Sequence, residues 1–153
     1  MKKLVLSLLL TVGVGTLAGM LTSGEASGDW FRSLDKPSWQ PPSAVFAPVW
    51  TVLYILMGIS LYRVWRTPLS RERNMAITFF LAQLMFNFLW SVLFFNWHFI
   101  GFAFIDIVLL WLTLALTIFS FRKISVTAAW LLAPYIAWVS FATALNWEIW
   151  RLN

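Results

Sequence analysis

Apolar residues occur along this chain in five long stretches, and polar residues gather in the segments between them. The apolar stretches cover approximately residues 4–21, 45–62, 75–95, 99–121 and 126–149, and they are uncharged except for Asp106 in the fourth and one acid near the end of the last. Each is close to the ~20 residues that an α-helix needs to cross the hydrocarbon core of a bilayer. The pattern predicts an all-α integral membrane protein in which residues 1–153 form a single bundle of five transmembrane helices.

Small residues give the first stretch one smooth face. Ser7, Thr11, Gly15, Gly19 and Ser23 recur at every fourth position, and in lipid such a face lets neighbouring helix backbones approach closely. A cleavable signal peptide is the alternative interpretation of this N-terminus. The apolar run is longer than the ~7–15 residues of a signal peptide, so we expect a retained membrane helix.

The distribution of basic residues indicates an orientation. Eight of them lie in the N-terminus and in the second and fourth connections: Lys2, Lys3, Arg63, Arg66, Arg71, Arg73, Arg122 and Lys123. Only Arg32, Lys36 and Arg151 fall on the opposite side. The positive-inside rule then predicts an N-in, C-out protein. This arrangement accounts for the net charge of +5, and no nucleic-acid partner is expected. The membrane that we expect is a bacterial cell membrane.

Ordinary catalytic and metal chemistry finds little support in the residues. The chain has no cysteine, which excludes disulfides, thiolate nucleophiles and cysteine-containing zinc sites. His98 is the only histidine, so a metal site there would have a single ligand, and we predict none. Paired carboxylates are absent from the apolar stretches. Any reaction would therefore depend on a ligand that absorbs light or carries its own reactivity.

The second helix begins with a stiff, aromatic segment, SWQPPSAVFAPVW at residues 38–50. Pro41 and Pro42 prevent the helix from extending backwards, which makes the entrance rigid. Trp50 and Tyr54 are four residues apart and therefore share a helix face. An interfacial aromatic belt explains Trp39, whereas Trp50 lies deeper and is predicted to line a site with Tyr54.

Polar residues form stripes on the third and fifth helices. Gln83, Asn87 and Ser91 are spaced by four residues, with Trp90 beside them, and Tyr135, Trp138, Ala142 and Asn146 share a face of the fifth helix. Hydrogen bonds between helices are one explanation. A ligand-facing role for Asn87, Trp90, Trp138, Ala142 and Asn146 is the other.

Asp106 is the only acid well inside an apolar stretch. An ionisable residue at that depth is a functional-site hypothesis by default. It is expected to be protonated, to bond Gln83, Asn87 or a tryptophan N–H, or to face water in a cavity.

Three segments carry a family resemblance: WQPPSAVFAPVWTVLY at residues 39–54, QLMFNFLWSVLFF at 83–95 and PYIAWVSFATALNWEIWRLN at 134–153. In this order they resemble the translocator protein family, also named TspO or tryptophan-rich sensory protein and, in mitochondria, the peripheral benzodiazepine receptor. The resemblance covers nearly the whole chain. It implies a five-helix bundle, commonly a homodimer, that binds porphyrins and, to varying degree, isoquinoline carboxamide drugs and sterols.

The resemblance also implies where the ligand lies. It places the cavity under the connection between the first two helices, which caps it. The matching positions are Trp50, Asn87, Trp90, Trp138 and Ala142 on the helices, with Phe31, Trp39, Pro42 and Phe46 in the connection and helix entry. Trp50 and Trp138 match the positions most important for the light-dependent porphyrin breakdown that some bacterial members promote. No tightly bound cofactor is expected, and a porphyrin of the protoporphyrin IX type is the expected ligand or substrate.

One departure concerns sterols. The family's proposed cholesterol motif at the end of the fifth helix needs a tyrosine before a basic residue, and here Trp147 precedes Arg151. This difference weighs against sterol binding.

The leading hypothesis is a membrane porphyrin-binding protein that acts as sensor, scavenger or light-dependent degrader. Transport of a porphyrin or another amphipathic solute is the first alternative, with Asp106 as a proton relay. A regulatory partner of another membrane protein, contacted through residues 63–73, is the second.

Overall fold

The computed structural model describes residues 1–153 and contains seven α-helices and no β-strand. They are α1 (Lys2–Ala26), α2 (Asp29–Ser33), α3 (Phe46–Trp65), α4 (Arg71–Ser91), α5 (Ile100–Ile124), α6 (Val126–Leu131) and α7 (Ala133–Leu152). A 3₁₀ turn at Ser43–Val45 leads into α3, and a π-helical segment at Val92–Asn96 continues α4. Five continuous helical segments, with α6 and α7 together forming the last, are long and apolar enough to cross a membrane. The predicted all-α fold with five spans is confirmed.

Most helices extend beyond the apolar stretches that predicted them. The first apolar stretch ends near Leu21, but α1 continues to Ala26, and α4 begins at Arg71 instead of residue 75. Hydropathy marks the section of a helix that suits hydrocarbon. Backbone hydrogen bonding continues into the polar flanks, where side chains such as Ser70 cap the helix through the Arg73 N–H, at 3.1 Å.

The last span is interrupted near a proline. Leu132 separates α6 from α7, and Pro134 lies in the first turn of α7. Proline has no N–H to donate and is accommodated best at a helix start. The interruption divides the fifth span into a short α6, which packs on α3 and α5, and a long α7, which packs on α5.

The helices pack in pairs and leave one side open. α1 lies along α3 and α4 along α5, whereas α3 and α7 make almost no close backbone approach. The α1–α3 contact is close because Gly58 faces α1: a Cβ there would lie 2.8 Å from Leu8 Cδ2 and 3.1 Å from Leu8 Cα. The Thr11 hydroxyl donates to the Tyr54 carbonyl across this seam, at 2.8 Å.

The connection between α1 and α3 lies over one end of the bundle. The Trp30 ring stacks on His98 with the ring centroids 3.9 Å apart, and the Phe31 ring contacts Phe95 at 5.5 Å. The side chain of Asn153 accepts from the Asp35 N–H at 3.0 Å and donates to the Asp35 carbonyl at 2.9 Å. These contacts tie the connection to the α4–α5 loop and to the end of α7.

Candidate functional site

A chain of buried hydrogen bonds joins α3, α4 and α7 in the middle of the bundle. The Tyr54 hydroxyl donates to Asn87 Oδ1, and Asn87 Nδ2 donates to the Tyr135 hydroxyl at 3.0 Å. The Tyr135 hydroxyl in turn donates to Gln83 Oε1 at 2.8 Å. Gln83 Nε2 lies 3.9 Å from the Met57 sulfur, its last partner. We call Tyr54, Asn87, Tyr135 and Gln83 the polar core.

The polar core satisfies the groups that the spacing on α4 singled out. Both the oxygen and the nitrogen of the Asn87 amide have partners within the chain, and the side chain is almost completely buried. Because Asn87 is also only 2% exposed, a ligand could bond to it only if the side chains around it moved aside. The bonds of Asn87 therefore match the first of the two explanations for the polar stripe on α4, which is hydrogen bonding between helices.

Trp50 packs on the edge of the polar core. Its ring centroid lies 5.7 Å from that of Tyr54 and 6.2 Å from that of Tyr135, the second contact edge-to-face. Trp50 is half-buried. It thus connects two buried phenols with the outer part of α3.

A second polar contact joins α4, α5 and α7 near the covered end. The Trp90 indole N–H donates to Asn146 Oδ1 at 2.9 Å, and Asn146 Nδ2 donates to the Ile100 carbonyl at 3.1 Å. The Trp90 ring also stacks on Phe94 at 5.6 Å, and Phe31 contacts Phe94 from the connection at 6.3 Å. Phe31, Trp90 and Asn146 therefore form one group, which braces the bundle.

An apolar groove of about 660 Å³ opens between α3 and α7, where those helices diverge. It is lined by Pro48, Val49, Val52, Leu53, Pro134, Ala137, Trp138 and Phe141. Its volume lies within the ~300–1,000 Å³ of small-molecule sites. Val52 and Ala137 are exposed at its edges, so it opens on the lipid-facing side of the bundle.

Of the site residues predicted from the sequence, Trp138 is the one that lines this groove. Its Nε1 atom is buried and has no hydrogen-bond partner. Its ring contacts Phe46 at 5.7 Å and Phe141 at 5.4 Å. A buried indole N–H normally finds an acceptor, so this donor is the unsatisfied polar group of an otherwise apolar surface.

The entry segment contributes the rim of the groove. The Trp39 ring contacts Phe141 edge-to-face at 5.7 Å. The Pro42 carbonyl accepts from the Val45 N–H at 3.0 Å and so starts the 3₁₀ turn that delivers Phe46 to Trp138. The rigid entrance therefore positions the aromatic rings on this side.

The structure thus divides the candidate residues among three places. Trp39, Pro42, Phe46 and Trp138 belong to the groove and its rim; Trp50, Tyr54 and Asn87 to the polar core and its edge; Phe31, Trp90 and Asn146 to the brace. Ala142 is buried within the hydrophobic core. It lies one turn from Trp138 on α7.

Asp106 is buried in α5, and its Oδ2 atom has no hydrogen-bond partner. The expected bonds to Gln83 or Asn87 do not form: Asn87 Nδ2 donates to the Tyr135 hydroxyl, and Gln83 Nε2 is directed to the Met57 sulfur. The structure contains no bond from a tryptophan N–H to this carboxyl either. Its role as a proton site stays a prediction.

Sequence reasoning missed two features of the site. Tyr135 was assigned to a face with Trp138, yet it is the residue that joins Asn87 to Gln83. The apolar lining, including Val52 and Phe141, carries no polar or charged signal. A proline near the start of both facing helices, Pro48 and Pro134, is the available clue that they diverge there.

Comparisons with known proteins agree with this architecture. Residues 7–151 match the model of the TspO/MBR family. The chain is 42% identical to the tryptophan-rich protein TspO of Chlorobaculum tepidum, over 100% of this chain and 99% of that protein. It is 36% identical to the tryptophan-rich sensory protein of Cereibacter sphaeroides (98% and 91%) and 37% identical to the human translocator protein (81% and 75%).

Proposed function

The chain belongs to the TspO/MBR family of integral multi-pass membrane proteins, and from this premise we propose that it binds a porphyrin of the protoporphyrin IX type in the groove between α3 and α7. The observation that carries the proposal is the unpartnered Trp138 N–H inside an apolar groove of about 660 Å³. Such a site combines a large apolar surface with one placed donor, the composition of small-molecule pockets in general.

A porphyrin matches both parts of the site. Its flat macrocycle stacks on or meets the edges of aromatic rings, and Phe46, Trp138 and Phe141 supply these rings. Its carboxylates and ring nitrogens are acceptors for an indole N–H. Trp39 adds a further ring at the rim, where it contacts Phe141. An isoquinoline carboxamide has the same combination of a flat ring system and a carbonyl acceptor, so we propose that it competes for the groove.

The cellular role that we propose is sensing or scavenging of porphyrin in a bacterial cell membrane. The name of the Cereibacter sphaeroides relative, tryptophan-rich sensory protein, supports a sensory role. The loop over the bundle supports it physically, because a ligand at the rim would change the contacts of Trp39, which belongs to that loop.

We further propose that bound porphyrin is degraded in light, with Trp138 and Trp50 as the reacting side chains. Trp138 would touch the ligand. Trp50 lies one helical turn from Phe46, the ring that contacts Trp138, and packs on two phenols. In this proposal an excited porphyrin takes one electron from an indole, which leaves a reduced porphyrin and an indole radical, and dissolved molecular oxygen is the oxidant that then opens the macrocycle.

Titration of the purified protein with metal-free protoporphyrin IX in the dark tests binding. Trp138→Phe keeps the ring and removes the N–H, so it should weaken binding about tenfold, the typical loss for one hydrogen bond to a charged acceptor. Trp130→Phe is the matched control, because Trp130 lies on α6 with 72% of its surface exposed. Equal affinities of the two variants would contradict the assignment of the donor.

Filling the groove tests the location independently. Val52→Trp adds bulk to a lining residue and should abolish most binding, whereas Ile55→Trp adds it to an exposed residue of α3 outside the groove and should not. If both variants bind like the wild type, the ligand is elsewhere.

Illumination then tests the reaction: the absorption of bound porphyrin should bleach more slowly in Trp138→Phe and Trp50→Phe than in Trp130→Phe. Equal bleaching at equal occupancy would rule out the light reaction and leave binding intact.

A further inference from the structure

Charge is distributed very unequally between the two ends of the bundle. One end, which we call the basic end, holds eight basic residues at the start of α1, around the α3–α4 connection and at the end of α5, and Glu72 is its only acid. The two ion pairs of the structure, His98–Glu25 and Arg151–Glu148, both lie at the other end. No cation of the basic end has a carboxylate partner in the chain.

Arg73 is the cation for which this matters most. It lies in the first turn of α4 and is only 8% exposed, whereas Arg66 and Arg71 beside it are exposed. Its Nη1 donates to the Thr67 carbonyl at 2.9 Å and its Nη2 to Asn74 Oδ1 at 3.4 Å. Its Nε is buried without a partner. A guanidinium has five N–H donors, so three of them have no acceptor in the chain.

The protein neutralises this charge only in part. Thr67 follows the C-terminal end of α3, where helix carbonyls provide a partial negative charge. A buried cation ordinarily requires a full opposite charge, because removal from water is costly. The backbone N–H groups of Arg71 and Glu72, at the start of the same helix, also have no acceptor. Guanidinium N–H groups and backbone N–H groups without an acceptor thus lie within one turn of α4.

We propose that the Arg73 guanidinium and the start of α4 bind the phosphate of an anionic phospholipid. Phosphate accepts several hydrogen bonds at once, and both guanidinium groups and helix N-termini favour it. A lipid is the source that the position favours. Arg73 lies where α4 leaves the apolar zone, and Leu69 beside it is 79% exposed, as a residue in contact with acyl chains would be. Surrounding exposed arginines add attraction for a net negative headgroup.

The proposal is tested with protein in a neutral detergent to which phosphatidylglycerol or phosphatidylcholine with the same acyl chains is added. Native mass spectrometry counts bound lipid, and thermal unfolding measures stabilisation. The wild type should bind phosphatidylglycerol at least about tenfold more tightly than phosphatidylcholine. Arg73→Gln should lose most of this preference. Arg71→Gln, the matched control at an exposed position of the same turn, should lose about fivefold or less.

Three results would overturn the proposal: no preference of the wild type for phosphatidylglycerol, equal losses in the Arg73 and Arg71 variants, or equal stabilisation by inorganic phosphate, which would assign the site to a free anion. Arg73→Lys keeps the proposal testable if Arg73→Gln does not fold. Lysine retains the charge but not the fork of donors. Arg73→Lys should therefore prefer phosphatidylglycerol less than the wild type and Arg71→Gln do, but should keep some preference for it. A preference for phosphatidylglycerol in Arg73→Lys equal to that of the wild type would count against a guanidinium site.

Discussion

At the scale of single residues, Tyr135 decides how the polar core is organised. It is fully buried, accepts from Asn87 and donates to Gln83. Its one hydroxyl therefore satisfies two amides that have no water to bond in the middle of a membrane bundle. The bonds also fix the rotation of α7 relative to α4, and with it the direction of Trp138, one turn away.

Tyr135→Phe should destabilise the protein although it leaves the packing volume almost unchanged. The change leaves the Asn87 nitrogen and the Gln83 oxygen without partners, at an expected cost of about 1–2 kcal/mol in the free energy of unfolding. Reversible unfolding in mixed detergent measures it. Tyr62→Phe is the control, because Tyr62 is half-buried and makes no hydrogen bond through its hydroxyl. A similar loss of unfolding free energy in both variants would show that the hydrogen bonds of the buried Tyr135 hydroxyl do not contribute to stability.

The sequence predicted the buried polar side chains better than their partners. Four-residue spacing placed Gln83 and Asn87 on one face, and both are buried. Spacing along one helix says nothing about which residue of another helix it meets. The contact of Asn87 with Tyr54 depends on the relative rotation of α3 and α4, which is set by the packing of the whole bundle. For the same reason the sequence could not show that the Asp106 carboxyl lacks a hydrogen-bond partner.

At the scale of the helices, the α1–α3 seam depends on glycine. Gly58 meets Leu8 and Thr11, and a Cβ on Gly15 would lie within the Tyr54 ring. Packing in lipid gains from close backbone approach, because hydrophobic exclusion does not operate between helices there. Tyr54 thus takes its position from a glycine of α1 beneath the ring and from Asn87 at the hydroxyl.

Gly58→Ala should separate α1 from α3 and destabilise the bundle by about 1–3 kcal/mol, the usual cost of overpacking. The new methyl group would meet Leu8 Cα, a backbone atom that cannot move aside alone. Gly13→Ala is the matched control, since nothing lies within 4 Å of a Cβ there; it should be neutral or gain about 0.5–1 kcal/mol from helix propensity. Thermal unfolding of both variants compares them. Equal stabilities would show that the seam tolerates a wider spacing.

The prediction that small residues give α1 a face for close packing holds for the first part of that helix only. Ser7, Thr11 and Gly15 face α3, but Gly19 and Ser23 are exposed. An α-helix has 3.6 residues per turn, so a repeat of four drifts by about 40° at each step. After three steps the stripe has turned away from a straight neighbour. A sequence repeat of four therefore describes a contact of only two or three turns.

At the scale of the whole molecule, the number of membrane spans and their order could be predicted, because both follow from hydropathy along the chain. The divergence of α3 from α7 could not, since it arises from contacts between segments far apart in sequence. The homodimer and the N-in, C-out orientation stay predictions. Both concern relations of the chain to its surroundings.

The orientation can be measured directly because the chain has no cysteine. Pro68→Cys lies in the α3–α4 connection and Ser38→Cys in the connection over the other end, and both positions are exposed. The positive-inside rule predicts that a membrane-impermeant maleimide labels Ser38→Cys in intact cells and leaves Pro68→Cys unlabelled until the cells are opened. The reverse pattern would invert the topology.

The opening of the groove between α3 and α7 toward acyl chains has a thermodynamic consequence. A porphyrin that binds there is first dissolved in the bilayer, and the concentration that the protein experiences is its mole fraction among the lipids. Adding empty vesicles at constant total porphyrin should therefore lower occupancy, because the porphyrin spreads over more lipid and its mole fraction in the bilayer falls, together with the aqueous concentration in equilibrium with it. If the chain senses porphyrin as proposed, the amount of membrane in the cell should change the porphyrin level at which it responds, just as the rate of porphyrin synthesis does.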